Sequence, residues 1–269
     1  MRPSAAAYVR TFLVLAKSGL RERMHYKANF LITSLLRGLT ALADFLIVAV
    51  ILMRFRVVDG WDMYEVALLY GLASLGNAIY HVAGREMEQI ERYLVSGDFD
   101  AILVRPWPTL FTLLARKLDF GRLGNGVQGL VVTVIGVNEL TRRGALAGWE
   151  HVYLFLIPLT SAAIIFAVAL ATAAAGFWLI RTDDLQVFTT YAPVTASYYP
   201  LSIYPGWLKG MLYTLIPMAF GNYLPVRYLL GKGGSPWVLL LAPVVGALAL
   251  WLAYRLWLTG ETRYQSTGS

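Results

Sequence analysis

The feature that most constrains this chain is the length of its apolar runs. Residues 152–180 form a stretch of 29 residues without a charged side chain. A helix needs about 20 apolar residues to cross the hydrocarbon of a bilayer, so this run is long enough to span it with a tilt. Hydrophobic residues make up 58% of the chain and charged residues 14%, whereas soluble domains average about 45–50% and about 25%. The sequence therefore predicts an all-α integral membrane protein.

Six segments are predicted to be transmembrane helices. They are residues 30–53, 66–83, 123–137 and 152–180, a fifth that begins near Leu185 and breaks at Pro193 and Pro200, and residues 237–254. The third is the weakest, because five glycines lie between Gly121 and Gly136. We expect Gly121, Gly124, Gly126 and Gly129 to let neighbouring helices approach closely. Residues 30–269 are thus predicted to form a single transmembrane domain.

The distribution of Lys and Arg predicts the orientation of these helices. If the N-terminus is cytoplasmic, residues 1–29, 84–122, 181–184 and 255–269 lie inside and carry 15 basic residues. The segments left outside, 54–65, 138–151 and 201–236, carry 7. Cytoplasmic loops are enriched in Lys and Arg, so both termini are predicted to be cytoplasmic.

The first 29 residues predict an amphipathic helix at the membrane surface. Apolar residues recur at helical spacing and basic residues occupy the other sides; the apolar set is Val9, Phe12, Leu13, Ala16 and Leu20, and the basic set is Arg10, Lys17, Arg21 and Arg23. Such a helix can lie among the lipid headgroups, with its cations near anionic lipid. A basic, solvated tail is the alternative interpretation.

The sequence predicts neither a metal site nor a nucleic-acid site. The chain has no cysteine, and His25, His81 and His151 are far apart, so no ligand cluster is evident. Its net charge of +7 is typical of a membrane protein with basic cytoplasmic loops. No catalytic residues are predicted.

A polar segment, residues 84–122, separates the second and third predicted spans. Met87, Ile90, Tyr93 and Leu94 share one helical face, and Glu86, Glu88, Glu91 and Arg92 are expected to lie mostly away from it. Ser96, Gly97 and Asp98 predict a turn, because glycine adopts the conformation that ends a helix and aspartate can cap the next one. Pro106 and Pro108 stop the following short helix and can begin another. We call residues 84–122 the elbow.

This elbow resembles the membrane permeases of type-2 ABC exporters, in particular a subfamily of predicted six-span permeases. The shared pattern is a small residue, Gly, an acid, an aliphatic or aromatic residue, Asp, aliphatics and Arg-Pro; here it is carried by Ser96, Gly97, Asp98, Phe99, Asp100, Ile102, Leu103, Arg105 and Pro106. The likeness is good over residues 8–130, and the rest matches in hydropathy and in the broken fifth span. Phe99 and Trp107 depart from many relatives and are expected to tune the choice of partner.

The resemblance implies a mechanism in which this chain forms the translocation path of an ATP-driven exporter. Two ATPase subunits would bind ATP and Mg and dock beneath two permease subunits, the second of which is the same or a different chain. The membrane would be a bacterial-type cytoplasmic (inner) membrane. The elbow would be the cytoplasmic coupling helix, with contacts to the ATPase from Arg85, Glu86, Glu88, Glu91, Gly97, Asp98, Asp100, Arg105 and Pro106. The sequence has no G-x-x-x-x-G-K-[ST] phosphate loop, so ATP hydrolysis is expected in another chain.

Polar residues within the spans are candidates for the translocation path or for the seam between permeases. Arg37 and Asp44 lie in the first span, where a charge normally faces a partner or water. Arg37 could instead reach the cytoplasmic interface. Asn77 and His81 share a face of the second span, where hydrogen bonds between helices are the simpler interpretation.

The region after Pro193 is rich in proline and tyrosine. Broken backbone at membrane depth requires burial in protein or contact with a wet cavity. Residues 201–228 are therefore predicted to re-enter the outer leaflet after the fifth span, with an interfacial loop as the alternative. Tyr191, Tyr198 and Tyr199 are candidates to line the path.

Two other functions are alternatives to that of a permease. A membrane-embedded lipid-modifying enzyme would need paired acids with a metal, or a nucleophile with a base. The elbow carboxylates have no histidine in their part of the sequence and look like a surface. A proton-coupled transporter would need more ionisable residues inside the spans than Arg37 and Asp44.

Overall fold

The computed structural model describes residues 57–116, 123–146, 148–179 and 181–265, and isolated earlier positions at 11, 14, 32, 35, 36, 39, 40, 43 and 46. In chain order the elements are β1 Val57–Val58, β2 Trp61–Asp62, α1 Met63–Gly84, a 3₁₀ helix Arg85–Gln89, α2 Ile90–Val95, α3 Asp100–Leu103, α4 Thr109–Arg116, α5 Leu123–Arg142, α6 Glu150–Leu154, α7 Leu156–Leu179, α8 Asp183–Gln186, a π-helix Val187–Tyr191, α9 Ala192–Ala196, a 3₁₀ helix Leu201–Ile203, α10 Gly206–Tyr213, α11 Met218–Gly221, α12 Tyr223–Leu229 and α13 Trp237–Glu261.

Helix α1 begins directly after a short antiparallel hairpin. β1 pairs with β2 through a turn at Asp59 and Gly60, both of which have positive φ, as the favoured two-residue hairpin turn requires. The Asp62 carboxylate accepts hydrogen bonds from the backbone N–H groups of Tyr64 at 2.8 Å and Glu65 at 3.0 Å. In return, the Glu65 carboxylate accepts the N–H of Asp62 at 2.7 Å. This capping box fixes the first turn of α1.

Helices α1 and α5 pack closely because small residues lie where they meet. A Cβ added to Gly129 would lie 3.0 Å from the Cβ of Ser74 and 3.1 Å from the backbone oxygen of Gly71. A Cβ on Gly136 would lie 3.1 Å from the backbone nitrogen of Leu68. The expectation that glycines allow close helix approach is confirmed at Gly129, and Gly136 makes a similar contact that was not predicted, while Gly121 lies outside the described residues.

The end of the molecule opposite the elbow is held by ion pairs. Arg143, just after α5, contacts Asp62 at 2.6 Å and Glu139 at 2.8 Å. Lys232 contacts Glu65 at 2.9 Å. The Arg143 guanidinium first, and Arg142 after it, hold the pKa of Glu139 below its usual value. These contacts join the start of α1, the end of α5 and the loop after α12.

The fifth predicted span is helical from Asp183 to Ala196, through Pro193, and it ends before Pro200. The predicted break is therefore confirmed at Pro200, whereas at Pro193 the helix continues after a π-helical stretch. The N–H of Ala192 bonds to the oxygen of Val187, five residues earlier, which is the π-helical pattern. Pro193 follows at once, and it has no N–H to donate and crowds the carbonyl four residues before it. After Pro200 the chain continues as the 3₁₀ helix Leu201–Ile203 and then α10, α11 and α12. That residues 201–228 re-enter the bilayer stays a prediction.

Among the described residues, three helical stretches are long and apolar enough to cross a membrane. They are Met63–Val95, Glu150–Leu179 and Trp237–Glu261, and they contain the second, fourth and sixth predicted spans. The third predicted span is helical as α5 but is not among these three. Arg37 and Asp44 lie outside the described residues, and so do most positions of the first predicted span and of the predicted surface helix at 1–29. The fold is thus mostly helical with membrane-span candidates, and the count of six spans stays a prediction.

Candidate functional site

The first half of the elbow is built into the end of the helical bundle. Met87, Ile90, Tyr93 and Leu94 are all buried, so the predicted apolar face is confirmed. Helix α2 lies against α7 at Gly176, where an added Cβ would come within 3.2 Å of the Leu94 side chain. This packing makes the first half of the elbow part of the core.

The predicted turn brings the chain back across α2. Gly97 has φ +74°, a conformation that glycine adopts without the steric penalty of a side chain. Ser96 Oγ donates to the Asp98 carboxylate at 2.9 Å, and the N–H of Phe99 bonds to the oxygen of Tyr93 at 3.1 Å. Residues 97–108 form the outermost part of the elbow, and we call them the tip.

Phe99 fastens the tip to the last long helix. Its ring is fully buried, and its centroid lies 5.2 Å from that of Phe177, 6.2 Å from Trp257 and 5.0 Å from Tyr264. Edge-on aromatic pairs at such distances contribute a favourable interaction energy in addition to that of their buried area. The expectation that Phe99 tunes the choice of partner is therefore wrong, because a fully buried ring cannot touch one.

A second contact joins the elbow to the end of α13. Thr109, at the start of α4, donates to Glu261 at 2.9 Å and accepts from the indole N–H of Trp257 at 3.2 Å. The tip is therefore held in the bundle by the buried side chains of Phe99 and Ile102, and the chain is held again at Thr109 directly after it. Its geometry is fixed at both ends.

The expectation that the elbow carboxylates form an exposed surface is wrong for Glu86. This side chain is fully buried, and Tyr93 donates its hydroxyl hydrogen bond to it. The expectation assumed about 3.6 residues per turn, but residues 85–89 form a 3₁₀ helix with about three. The tighter winding changes which residues face inward.

Glu88 also takes part in internal contacts. Its side chain is 8% exposed and lies 3.3 Å from Nδ1 of His81. It accepts hydrogen bonds from the hydroxyls of Tyr80 at 3.0 Å and Tyr191 at 2.8 Å. Glu88 therefore joins the end of α1 to the π-helix.

Glu91 caps a helix that lies far along the chain. Its carboxylate accepts the backbone N–H groups of Thr182 at 2.6 Å and Asp183 at 2.9 Å. The carboxylate that caps this helix therefore comes from the elbow. Burial first, then the charges of Glu91 and Asp184, raises the pKa of Asp183.

The tip itself presents apolar and charged side chains to the outside. Val104 is 83% exposed and Leu103 is 38% exposed, and neighbouring Val95 is 58% exposed. Of the other predicted coupling residues, Asp98, Arg105 and Pro106 are exposed, whereas Arg85, Gly97 and Asp100 are half-buried. An exposed apolar group with a polar rim is typical of a protein-interaction surface.

The predicted path residues fall into two separate contacts. Asn77 donates to the hydroxyl of Tyr198 at 3.1 Å, and the ring of Tyr198 lies 5.1 Å from that of Tyr70. Tyr191 instead contacts Glu88, and Tyr199 is half-buried against the core. His81, expected to act with Asn77, contacts Glu88.

Comparison with known families decides the class of the protein. A family model described as ABC-2 family transporter protein matches residues 39–268. The chain belongs to this family. As an ABC-2 family member with helices able to span a membrane, it is the membrane component of an ABC transporter and a multi-pass membrane protein. No curated protein and no solved structure matches it.

Several residues that build the elbow of this ABC-2 chain were missed at the sequence level. Thr109, Trp257 and Glu261 meet across about 150 positions, and nothing in their local sequence signals that contact. Gln186, which donates to the oxygen of Met87 at 3.2 Å, was also missed. A polar residue inside an otherwise apolar helix is a usable signal, because buried polar groups need hydrogen-bond partners. Within the described residues, no group of three His, Asp or Glu side chains could hold a metal ion.

Proposed function

We propose that this ABC-2 transporter component is the permease of an ATP-driven exporter and that a separate ATPase docks on its tip. The observation that carries the proposal is the contrast within the elbow. Val104 and Arg105 are exposed, while Phe99 within the tip and Thr109 directly after it are held in the bundle. A surface that must transmit force needs an exposed contact on a stiff support.

The same geometry opposes the lipid-modifying alternative. The densest carboxylates of the elbow, Glu86, Glu88 and Glu91, are used in contacts with Tyr93, Tyr191 and the start of α8. Acids committed to internal hydrogen bonds are poorly placed to bind a metal or to activate a nucleophile at an interface. The tip carries no pair of acid and base that would suggest hydrolysis.

The docking test uses co-purification with a candidate ABC ATPase encoded beside this chain. We expect Val104→Asp and Arg105→Glu each to weaken ATPase binding by about 2 kcal/mol or more, roughly 30-fold, because both would sit in the desolvated centre of the interface. Arg142→Glu is the matched control. Its side chain is 79% exposed, and it lies next to Arg143 at the end opposite the elbow.

Two results would defeat the proposal. In the first, the tip variants hold the ATPase as tightly as wild type does. In the second, reconstituted vesicles move cargo with no ATPase present, as a proton-coupled transporter would.

The predicted topology can be tested on the same protein. Because the chain lacks cysteine, a single Val104→Cys substitution should react with a membrane-impermeant maleimide only from the cytoplasmic side.

The proposed assembly has two ATPase subunits beneath two permeases, the second permease being the same or a different chain. Both termini would lie in the cytoplasm of a cell bounded by a bacterial-type inner membrane. The basis for this arrangement is the resemblance of the elbow and the excess of basic residues in the segments assigned to the inside.

A further inference from the structure

We propose that residues 182–191 move together with the elbow, so that a displacement of the tip is passed directly into the broken fifth helix. We call residues 182–191 the relay segment; it comprises α8, the π-helix and Thr182, which precedes α8. The inference rests on the proposed function, because it concerns what happens after an ATPase pushes on the tip. Its chief positioning contact is the one between Glu88 and Tyr191.

Three sets of hydrogen bonds join the elbow to the relay segment. Glu91 accepts the N–H groups of Thr182 and Asp183 at 2.6 and 2.9 Å. The side chain of Gln186 donates to the oxygen of Met87 at 3.2 Å. Glu88 accepts the hydroxyl of Tyr191 at 2.8 Å. These contacts are spread from the first to the last residue of the relay segment, so the whole segment is attached.

The relay segment also contacts α7, but with fewer hydrogen bonds among the described residues than it makes with the elbow. On that side, the hydroxyls of Thr172 and Thr189 meet at 2.7 Å. This is one bond at one position, whereas four hydrogen bonds spread along the segment join it to the elbow. When the elbow shifts against α7, the relay segment should therefore follow the elbow.

The far end of the relay segment is a place where a helix can bend. The π-helix and Pro193 interrupt the regular ladder, and such interruptions are where helices kink. Beyond them lies Tyr198, which contacts Asn77 on α1. A shift of the relay segment would consequently change the angle at Pro193 and the contact between α1 and Tyr198.

The test places a reporter just past the relay segment. Ala192 is exposed, and because the chain has no cysteine, Ala192→Cys can carry a single bimane label. The labelled permease, assembled with its ATPase in nanodiscs, is treated with ATP and vanadate. The change in bimane emission is divided by the amount of ATPase bound, so that weaker docking is not mistaken for lost transmission.

We expect Tyr191→Phe and Gln186→Met each to reduce this normalised change at least about fivefold, the lower end of common coupling effects. Tyr153→Phe is the matched control. It removes a hydroxyl bond of similar length, from Tyr153 to the oxygen of Leu239 at 2.6 Å, which does not involve the elbow. It should keep the wild-type change.

Each outcome bears on one idea. If both variants retain the full emission change, these contacts do not transmit motion and the inference is overturned. The same holds if the control loses the change as much as the two variants do, because the effect is then one of general stability. If no ATPase co-elutes with the wild-type permease, the proposed function fails first, and elution shows this independently of the label.

Discussion

Replacing Phe99 with alanine should loosen the elbow from the bundle at a large cost in stability. The ring is fully buried and has three aromatic neighbours with centroids 5.0 to 6.2 Å away. Truncating a buried Phe to Ala typically costs about 3–5 kcal/mol, the cost rising with the cavity left behind. Phe177 and Trp257 belong to the long helices α7 and α13, which cannot easily collapse into the space. We therefore expect Phe99→Ala to lower the free energy of unfolding by about 4–5 kcal/mol.

The free energy of unfolding can be followed in mixed micelles by tryptophan fluorescence, to which Trp257 in the same cluster contributes as one of the eight tryptophans of the chain. Two further variants serve as references for the size of this loss of stability. Phe99→Leu fills most of the volume and should cost about 1.5 kcal/mol. Val104→Ala, in an exposed side chain of the same tip, should change stability by no more than about 0.5 kcal/mol. The tip of Phe99→Ala should also be cleaved sooner by added protease than the wild-type tip.

The reasoning is refuted if Phe99→Ala costs less than about 1 kcal/mol, the centre of the range for ordinary substitutions. The aromatic cluster would then not hold the tip, and the stiff support on which the docking proposal depends would be missing. A full loss of stability without faster cleavage of the tip would contradict the link between the cluster and the elbow.

Two further predictions concern parts of the fold away from the tip. Gly71→Ala should destabilise the protein by about 1–3 kcal/mol, since its Cβ would lie 2.7 Å from the backbone nitrogen of Thr133; Gly210→Ala, which meets nothing within 4 Å in helix α10, should be neutral or mildly stabilising in the same unfolding assay. For Glu139, the folded-state pKa is lowered, so its contribution to stability is present above the pKa of the unfolded chain and is lost as the pH falls through the folded pKa. Thermal unfolding of wild type and Glu139→Gln should therefore differ near neutral pH and converge in acid, and curves that stay parallel at all pH values would contradict this.

The parts of the fold that depend on local pattern could be predicted from sequence. The apolar length of residues 152–180 anticipated α7, and Pro200 anticipated the end of the fifth helix. The apolar face of Met87, Ile90, Tyr93 and Leu94 was correct because side-chain periodicity determines which side of a helix is buried. Gly97 likewise marked its turn, because a positive φ favours glycine.

The long-range contacts that assemble the elbow could not be predicted from local sequence patterns. Glu86 was misplaced because a local 3₁₀ winding, set by packing against α1 and α7, replaced the assumed α-helical spacing. The burial of Phe99 could not be predicted, because its neighbours Phe177, Trp257 and Tyr264 are distant in sequence. Glu91 and Thr182 show the same limit, since no pattern near either residue reveals the other. The candidate coupling surface was thus predicted as a segment, and only the structure separates its exposed tip from its internal acids.

The bond from Glu91 to Asp183 also bears on how the protein is made. The two residues are 92 positions apart, so the ribosome completes the elbow long before residue 183 emerges. The first turn of the fifth helix is therefore defined by a segment that has already been synthesised when the helix begins to form. An error in the elbow would then show itself as faulty insertion of residues 183–196, far along the chain from the mutation that caused it.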